Sequence, residues 1–509
     1  MTDPTASRYH FYARVAGNTF YLVAAIGATS LGLFGIDVLL NRFLGDAAQF
    51  GLITYVVGLI AIPLYLSDLG LSRALPAAIA SAVARGETRE ANRAFGNALV
   101  LQIAATGVLA VGVVAASYRL PEVVEAVRGV FGLDAGSVTI PGYVAPWCRV
   151  LVVWMAAMSI VRLLSGVFDG YQKMRYSFVA ALLREPVRMA CIAAVGLWFV
   201  FGTGAAILVL ALSSGVALGL NVVLFRLFQR ANPDCRFAFD RAGCARMFRE
   251  SLYFYLPLVG LWIFPELVKV MAGTLDSPET VGRVTVCLRL STLAFVVLGA
   301  LPRAMLPAFS EKAHDVVVLR ASFLGLLKYA GLVNLAAFVV MASAGPYLVR
   351  AIFGAAYAVQ DIQAVMVLVS LGSFLEIYRL LTEPVLQATG HARAAGVVEV
   401  VREAAFVGQA MVLIPRWPLM GVVAAFVVVN FLAWLLRFVY THRLVVCVPW
   451  FAMVGTAALA SGAAALALAG WTLLFWLLVA AAILVQFLQF SRTEAATIRR
   501  TLATFFKRG

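Results

Sequence analysis

Runs of about twenty apolar residues recur along the whole chain, each long enough for one helix to cross a hydrocarbon layer about 30 Å thick. They fall at about 15–40, 49–68, 95–117, 145–168, 177–201, 205–228, 252–275, 281–305, 322–344, 362–387, 396–414, 419–440, 451–469 and 471–490. Of the 509 residues, 63% are hydrophobic and 13% charged, and the mean hydropathy is +0.94. A soluble domain is about 45–50% apolar and about 25% charged. A water-soluble enzyme is therefore excluded. The predicted class is an all-α polytopic membrane protein of about fourteen spans.

The formal net charge is +15. In a membrane chain, Lys and Arg gather in cytoplasmic loops, and this accounts for the excess without any nucleic-acid partner. Loops on the N-terminal side carry 23 basic residues, among them Arg73, Arg85, Arg89, Arg93, Arg246 and Arg249; the opposite side carries five. Both termini are thus predicted to be cytoplasmic, which requires an even number of spans. Only five basic residues are lysines and 35 are arginines. Genomic base composition is one account of that bias, and the fit of guanidinium forks to phosphate is the other. The six cysteines form no CxxC pair, so neither a disulfide framework nor a zinc site is expected. The first fourteen residues lack the apolar core of a cleaved signal peptide. The longest outer loop, 118–144, has room for a short interfacial helix.

The two halves of the chain resemble each other. Arg73-Ala74-Leu75-Pro76-Ala77 follows span 2, and Arg303-Ala304-Met305-Leu306-Pro307-Ala308 follows span 8. Gly51 and Gly282 open the same two spans. Gly170 precedes Arg184-Glu185, and Gly390 precedes Arg402-Glu403. Six spans per repeat make the repeats parallel, related by an axis along the membrane normal with a cargo path between them. The expected units are 1–235 (spans 1–6), 236–445 (spans 7–12) and 446–509 (spans 13–14 and a basic tail).

Twelve basic and eight acidic residues fall in or beside the spans. An Arg at mid-bilayer costs at least about 2.5–3.5 kcal/mol, so such residues face a wet cavity or a partner. Span 5 carries Arg184, Glu185 and Arg188; span 11 carries Glu399, Arg402 and Glu403. If the repeat holds, Arg184 and Arg402 lie at equal depth in opposing halves and suit a diphosphate, each guanidinium donating two parallel hydrogen bonds. The competing reading is that these charges only pin helices together. Arg289 in span 8 is a further deep candidate. Arg149, Arg162, Arg283 and Arg379 are secondary cavity candidates, some within snorkelling reach of an interface. Glu266 and Lys269, three apart, read as a satisfied pair or as an ion-coupling site. Asp37, Glu185 and Glu403 are the other coupling or gating candidates, and Asp37 has no local partner.

No GxxxxGK[ST] loop is present, so ATP is not bound through a P-loop. The four histidines make no HxxxH pair, and no GxSxG elbow appears. No catalytic residue, metal site or cofactor is expected. Any driving force comes from an ion gradient (H+ or Na+), the membrane potential or the cargo gradient.

Several segments resemble the polysaccharide-type, Wzx-like flippases of the multidrug/oligosaccharidyl-lipid/polysaccharide exporter superfamily. They are Gly51, Asp68-Leu69-Gly70-Leu71 with Pro76, Ile352-Phe353-Gly354-Ala355-Ala356-Tyr357, Glu383-Pro384, and Ala388-Thr389-Gly390-His391. The resemblance implies two six-helix lobes arranged as a V, with alternating access around a central cationic cavity. The implied cargo is a polyprenyl (pyro)phosphate-linked oligosaccharide, which would be carried to the outer leaflet of the cell membrane for surface-glycan assembly. Spans 13 and 14 would offer a groove for the lipid tail, and polysaccharide-assembly proteins are the implied partners. A cation-coupled multidrug exporter of the same superfamily is the alternative, with unpaired acids in a less basic cavity. A membrane-embedded oligosaccharide polymerase fits worse, because the outer loops are short.

Overall fold

The computed structural model describes residues 4–130, 142, 144–198, 201–312, 316–357, 361–445, 450–468 and 472–487, and no strand occurs among them. Every predicted span falls on a helix. The N-terminal half holds α1 (Pro4–Leu44), α2 (Ala47–Leu66), α3 (Leu71–Ala84), α4 (Thr88–Ser117), α5 (Leu120–Val130), α6 (Val144–Gly170), α7 (Met174–Trp198) and α8 (Thr203–Ala231). The C-terminal half holds α9 (Arg241–Leu275), α10 (Pro278–Lys312), α11 (Val316–Phe353), α12 (Ile362–Ala388), α13 (Ala392–Leu413) and α14 (Pro418–Leu444). A hairpin of α15 (Trp450–Leu468) and α16 (Thr472–Phe487) packs against α12 and α11. The basic tail 488–509 and the side chains of Arg8, Arg14, Arg303, Ala304 and 306–308 lie outside the described residues.

Eight stretches pass on length and apolarity alone: those carrying α1, α2 with α3, α4, α6, α8, α11, α12 and α14. Two that do not, α7 and α13, carry the charges singled out in spans 5 and 11. The same side chains that mark a site lower the hydropathy of its helix. The short helix expected in the outer loop is α5.

Packing repeats between the halves. In the first, α1 lies on α7, α7 on α8, α8 on α6 and α6 on α4; in the second, α9 lies on α13, α13 on α14, α14 on α12 and α12 on α11. The lobes meet through α2 against α10, α2 against α9, and α1 against α10. The axis between them is visible at two glycines. A Cβ on Gly51 would lie 1.6 Å from the Pro278 carbonyl oxygen and 2.7 Å from the Gly282 nitrogen. A Cβ on Gly282 would lie 2.4 Å from the Ala47 carbonyl oxygen and 3.3 Å from the Gly51 nitrogen. Ala47 and Pro278 open equivalent helices, so each glycine meets the partner of the other, as a two-fold contact requires. Small residues let the two backbones touch where side chains would hold them apart.

One repeat element differs. Asp68-Leu69-Gly70-Leu71 breaks the chain between α2 and α3, whereas α10 runs unbroken through the corresponding length. Leu69 and Gly70 have φ of +49° and +79°, and the Asp68 carboxylate accepts the Ser72 amide at 3.3 Å and hydroxyl at 3.0 Å, starting α3. Gly70 also sits where a Cβ would be 2.2 Å from the Ser251 carbonyl oxygen of α9. Below, the far face is the side on which α2 and α10 begin, and the near face is the side on which they end.

Candidate functional site

The span charges gather in three places. In the N-terminal half, α7 presents Glu185, whose two oxygens accept from Arg184 Nε at 2.6 Å and Arg188 Nη1 at 3.0 Å. Arg184 also donates to Thr29 of α1 at 3.3 Å. Gly32 on α1 makes room for this group, since a Cβ there would lie 2.2 Å from the Glu185 Cβ. Two guanidiniums share one carboxylate, leaving the cluster with one net positive charge. The Arg184 side chain keeps 14% of its surface exposed.

In the C-terminal half the network is larger and closed. Glu399 of α13 gathers three arginines. Arg379 of α12 and Arg437 of α14 both donate to Oε1, the latter at 2.7 Å, and Arg402 Nη2 lies 3.0 Å from Oε2. Glu376 pairs with Arg379 at 3.2 Å and lies 3.7 Å from Arg402. Arg402 donates to the Gly260 carbonyl of α9 at 2.8 Å and lies over the Phe264 ring at 4.0 Å. Glu403 is not Arg402's partner, and its Oε1 is buried with no hydrogen-bond partner among the described residues. Arg379, Arg402, Arg437 and Glu399 are fully buried. Arg402 is thus shut inside this conformation, while Arg184 is not.

The two clusters are related, but one helical turn away from the register read in the sequence. Gly32 faces Glu185, and Gly260 faces Glu399, where a Cβ would lie 2.3 Å from the Glu399 Cβ. The matching units are Glu185-Pro186-Val187-Arg188 and Glu399-Val400-Val401-Arg402, each with an acid and an arginine paired three residues apart. Alignment on Arg184-Glu185 and Arg402-Glu403 misses this, because it pairs Arg402 with Arg184, whereas the packing pairs it with Arg188 and sets Val398 opposite Arg184.

The third place is the seam between the lobes. Arg289 of α10 donates to Asp37 of α1 at 2.6 Å, and its side chain is 30% exposed. Asp37 therefore has a partner, but one 252 residues away, beyond any local reading. On the mirrored seam, Lys269 donates to Glu266 at 2.8 Å, the satisfied pair expected from their spacing. Gly58 of α2 lies against Glu266 there. Arg162 stacks over Tyr65 at 4.3 Å and Trp262 at 5.4 Å, and those rings stack across the lobes at 5.6 Å. Arg149 lies over the Tyr118 ring at 4.4 Å, and Arg283 pairs with Glu279 one turn away. Near the near face, Arg73 of α3 reaches Glu383 and Gln387 of α12 at 3.7 and 3.3 Å.

Arg437 was not singled out by the sequence reading. It stands alone in span 12 with no acid within a helical turn, so local pairing gave no reason to notice it. Its isolation in an apolar span was the available signal.

An all-helical bundle of two parallel repeats with charge at the seam is the architecture of a membrane transporter. Residues 15–312 match the family described as polysaccharide biosynthesis protein, and the chain belongs to that family. No curated protein sequence matches it. Among solved structures, it is similar to an inward-facing and an outward-facing multidrug resistance MATE family transporter of the MOP superfamily. Each has a TM-score of 0.60; identities are 15% and 16%, covering 83% and 84% of this chain and 94% of each of those chains. It is also similar, with a TM-score of 0.60 and 15% identity, to a MOP superfamily transporter from Pyrococcus furiosus described as having a binding pocket of reversed polarity. That match covers 84% of this chain and 94% of the other. These likenesses establish the fold.

Proposed function

We propose that the protein is a flippase that carries a polyprenyl (pyro)phosphate-linked oligosaccharide from the cytoplasmic to the outer leaflet of the cell membrane by alternating access. The observation that carries this reading is the Arg184–Glu185–Arg188 cluster. It holds two guanidiniums on one carboxylate, with Arg184 partly exposed, and that surplus charge suits an anionic head rather than a cationic drug. Arg289 is a cargo contact at the seam, where part of its side chain stays accessible beside Asp37. Arg402 takes its turn only when Glu399 and Glu376 release it. The near face is cytoplasmic on this reading, in line with the 23-to-5 division of basic loop residues. Membrane lipids surround the apolar helix faces, and α15 and α16 offer the tail a place beside the second lobe.

The mechanism follows from charge and geometry. A diphosphate entering between the lobes replaces part of the hold that Glu185 has on Arg184 and Arg188, since each fork donates two parallel bonds to phosphate oxygens. Asp37, Glu185, Glu266 with Lys269, and Glu403 are the groups through which a proton or Na+ would bias the opening. Glu403 stands out because one of its oxygens is unpartnered.

Native mass spectrometry of the purified protein with a polyprenyl diphosphate, the matching neutral polyprenol and a quaternary-ammonium drug tests the reading. The diphosphate should be retained preferentially, and Arg184→Ala with Arg188→Ala should abolish that preference. Preferential retention of the quaternary ammonium would favour a multidrug exporter and defeat the proposal.

A further inference from the structure

The segment Ile352–Tyr357 takes no part in the cargo reading, yet it makes a buried contact between the lobes on the far face. α11 ends at Phe353, and Gly354, at φ +97°, turns the chain back. A single 3-10 turn, Ala355–Tyr357, then points the Tyr357 ring into the N-terminal lobe. The ring is edge-on to Phe50 of α2 at 6.5 Å, and Phe353 beside it is edge-on to Phe34 of α1 at 5.8 Å. The Tyr357 hydroxyl donates to Asn41 Oδ1 on α1, and Asn41 Nδ2 donates to the Phe353 carbonyl at 2.9 Å. Both ends of one amide are used, and both residues are buried, at 4% and 2% exposure. One turn back on α1, Asp37 holds Arg289, so a single face of α1 grips α10 and α11 together.

We propose that Asn41 and Tyr357 form a latch on the far mouth: an aromatic plug from one lobe seated in the other, which must withdraw before that mouth opens. The latch rests on the alternating-access reading, but it adds a gate to it. It is not a by-product of the repeat. On the mirrored seam, the described bond between α2 and α9 near the far face is Tyr55 to Thr274 at 3.2 Å, and the connection from α4 to α6 carries α5 in place of the turn. A cavity of about 300 Å³, lined by Asn41, Arg42, Gly45, Phe353, Gly354 and Tyr357, adjoins the plug. Water can therefore take over the Asn41 bonds as the ring leaves, which keeps the latch reversible.

The test uses the full chain in nanodiscs, with its six cysteines replaced and one reporter at a time. Ala47→Cys places a thiol at the α2–α10 crossing on the far face, where Ala47 is 3% exposed. Ser251→Cys places one against Gly70 toward the near face, where Ser251 is fully buried. Labelling by a membrane-impermeant maleimide is followed in time. Tyr357→Phe removes one hydroxyl and leaves Asn41 Oδ1 buried without its donor, which should raise the open fraction, and the labelling rate at residue 47, on the order of tenfold. Asn41→Ala should raise it at least as much. The reporter at 251 should stay within about twofold, since the latch acts on one mouth. An unchanged rate at 47 in both variants overturns the latch. So does a parallel rise at both reporters, which would mean general loosening. The assay contains no cargo, so its outcome stands apart from that of any test of the diphosphate reading.

Discussion

Glu399→Gln removes one negative charge from the point where three guanidiniums converge. Arg379 and Arg437 donate to the same oxygen of Glu399, and Arg402 lies 3.0 Å from the other. All four side chains are at most 1% exposed, so solvent screening gives no relief. Hydrogen bonds to charged groups contribute about 1.5–3 kcal/mol each, and removing one partner from a buried ion pair costs about 3–5 kcal/mol. Gln keeps a carbonyl acceptor, so the estimate stays at about 3–5 kcal/mol rather than the sum of three bonds. If the C-terminal half melts as one unit of roughly 200 residues, each kcal/mol moves the midpoint by about 2–4 °C, giving a drop of about 10 °C. Thermal unfolding of the detergent-purified protein, followed by tryptophan fluorescence, measures this. Adding Arg437→Gln removes an orphaned cation and should recover at least half the loss. A single variant that melts within about 2 °C of the parent would refute the hub argument.

Arg184→Ala with Arg402→Ala should abolish translocation in reconstituted vesicles while the protein still elutes as a monodisperse peak; full transport by that variant would remove both residues from the cargo path. Gly51→Val should prevent the α2–α10 crossing, because its Cβ would fall 1.6 Å from the Pro278 carbonyl oxygen, and overpacking a tight contact costs typically about 1–3 kcal/mol or more. A sharp fall in folded yield is expected, and normal yield would show that the helices can part there. Arg289→Gln should lower transport about tenfold, or about 1.4 kcal/mol in the rate barrier. Its thermal midpoint should fall as well, by less than that of Glu399→Gln, because Asp37 is buried while Arg289 is partly exposed; an unaltered rate would make the Asp37 pair purely structural.

Fold and site were legible in the sequence to different depths. The spans could be read because a bilayer demands about twenty apolar residues in a row, and each run lies on a helix of the structure. Gly51 and Gly282, noticed only as equivalent openings of two spans, mark where the halves touch. Asp68-Leu69-Gly70-Leu71 stood out as a motif, but its work, breaking α2 from α3 against Ser251, depends on a helix almost two hundred residues away. The charged helices were identifiable because an arginine inside a membrane needs a reason. Their partners were not. Asp37 with Arg289, and Arg437 with Glu399, join different helices, and helical spacing reveals only neighbours three or four apart. The same limit explains the one-turn slip between the clusters: the side that meets the glycine of α1 or α9 is fixed by packing. Tyr357 could be flagged as part of a motif, but its insertion between α1 and α2 could not.

The central claim is that the surplus guanidinium charge of the Arg184–Glu185–Arg188 cluster on α7 moves a negatively charged lipid head across the bilayer. Transfer of a fluorescent polyprenyl diphosphate-linked oligosaccharide in proteoliposomes, read by an impermeant quencher, tests it most directly. The account predicts transfer by the intact protein, loss of transfer on Arg184→Ala with Arg188→Ala, and no transfer of the same glycan on a neutral polyprenol. Equal transport of the charged and neutral lipids, or an intact rate without the two arginines, would contradict it.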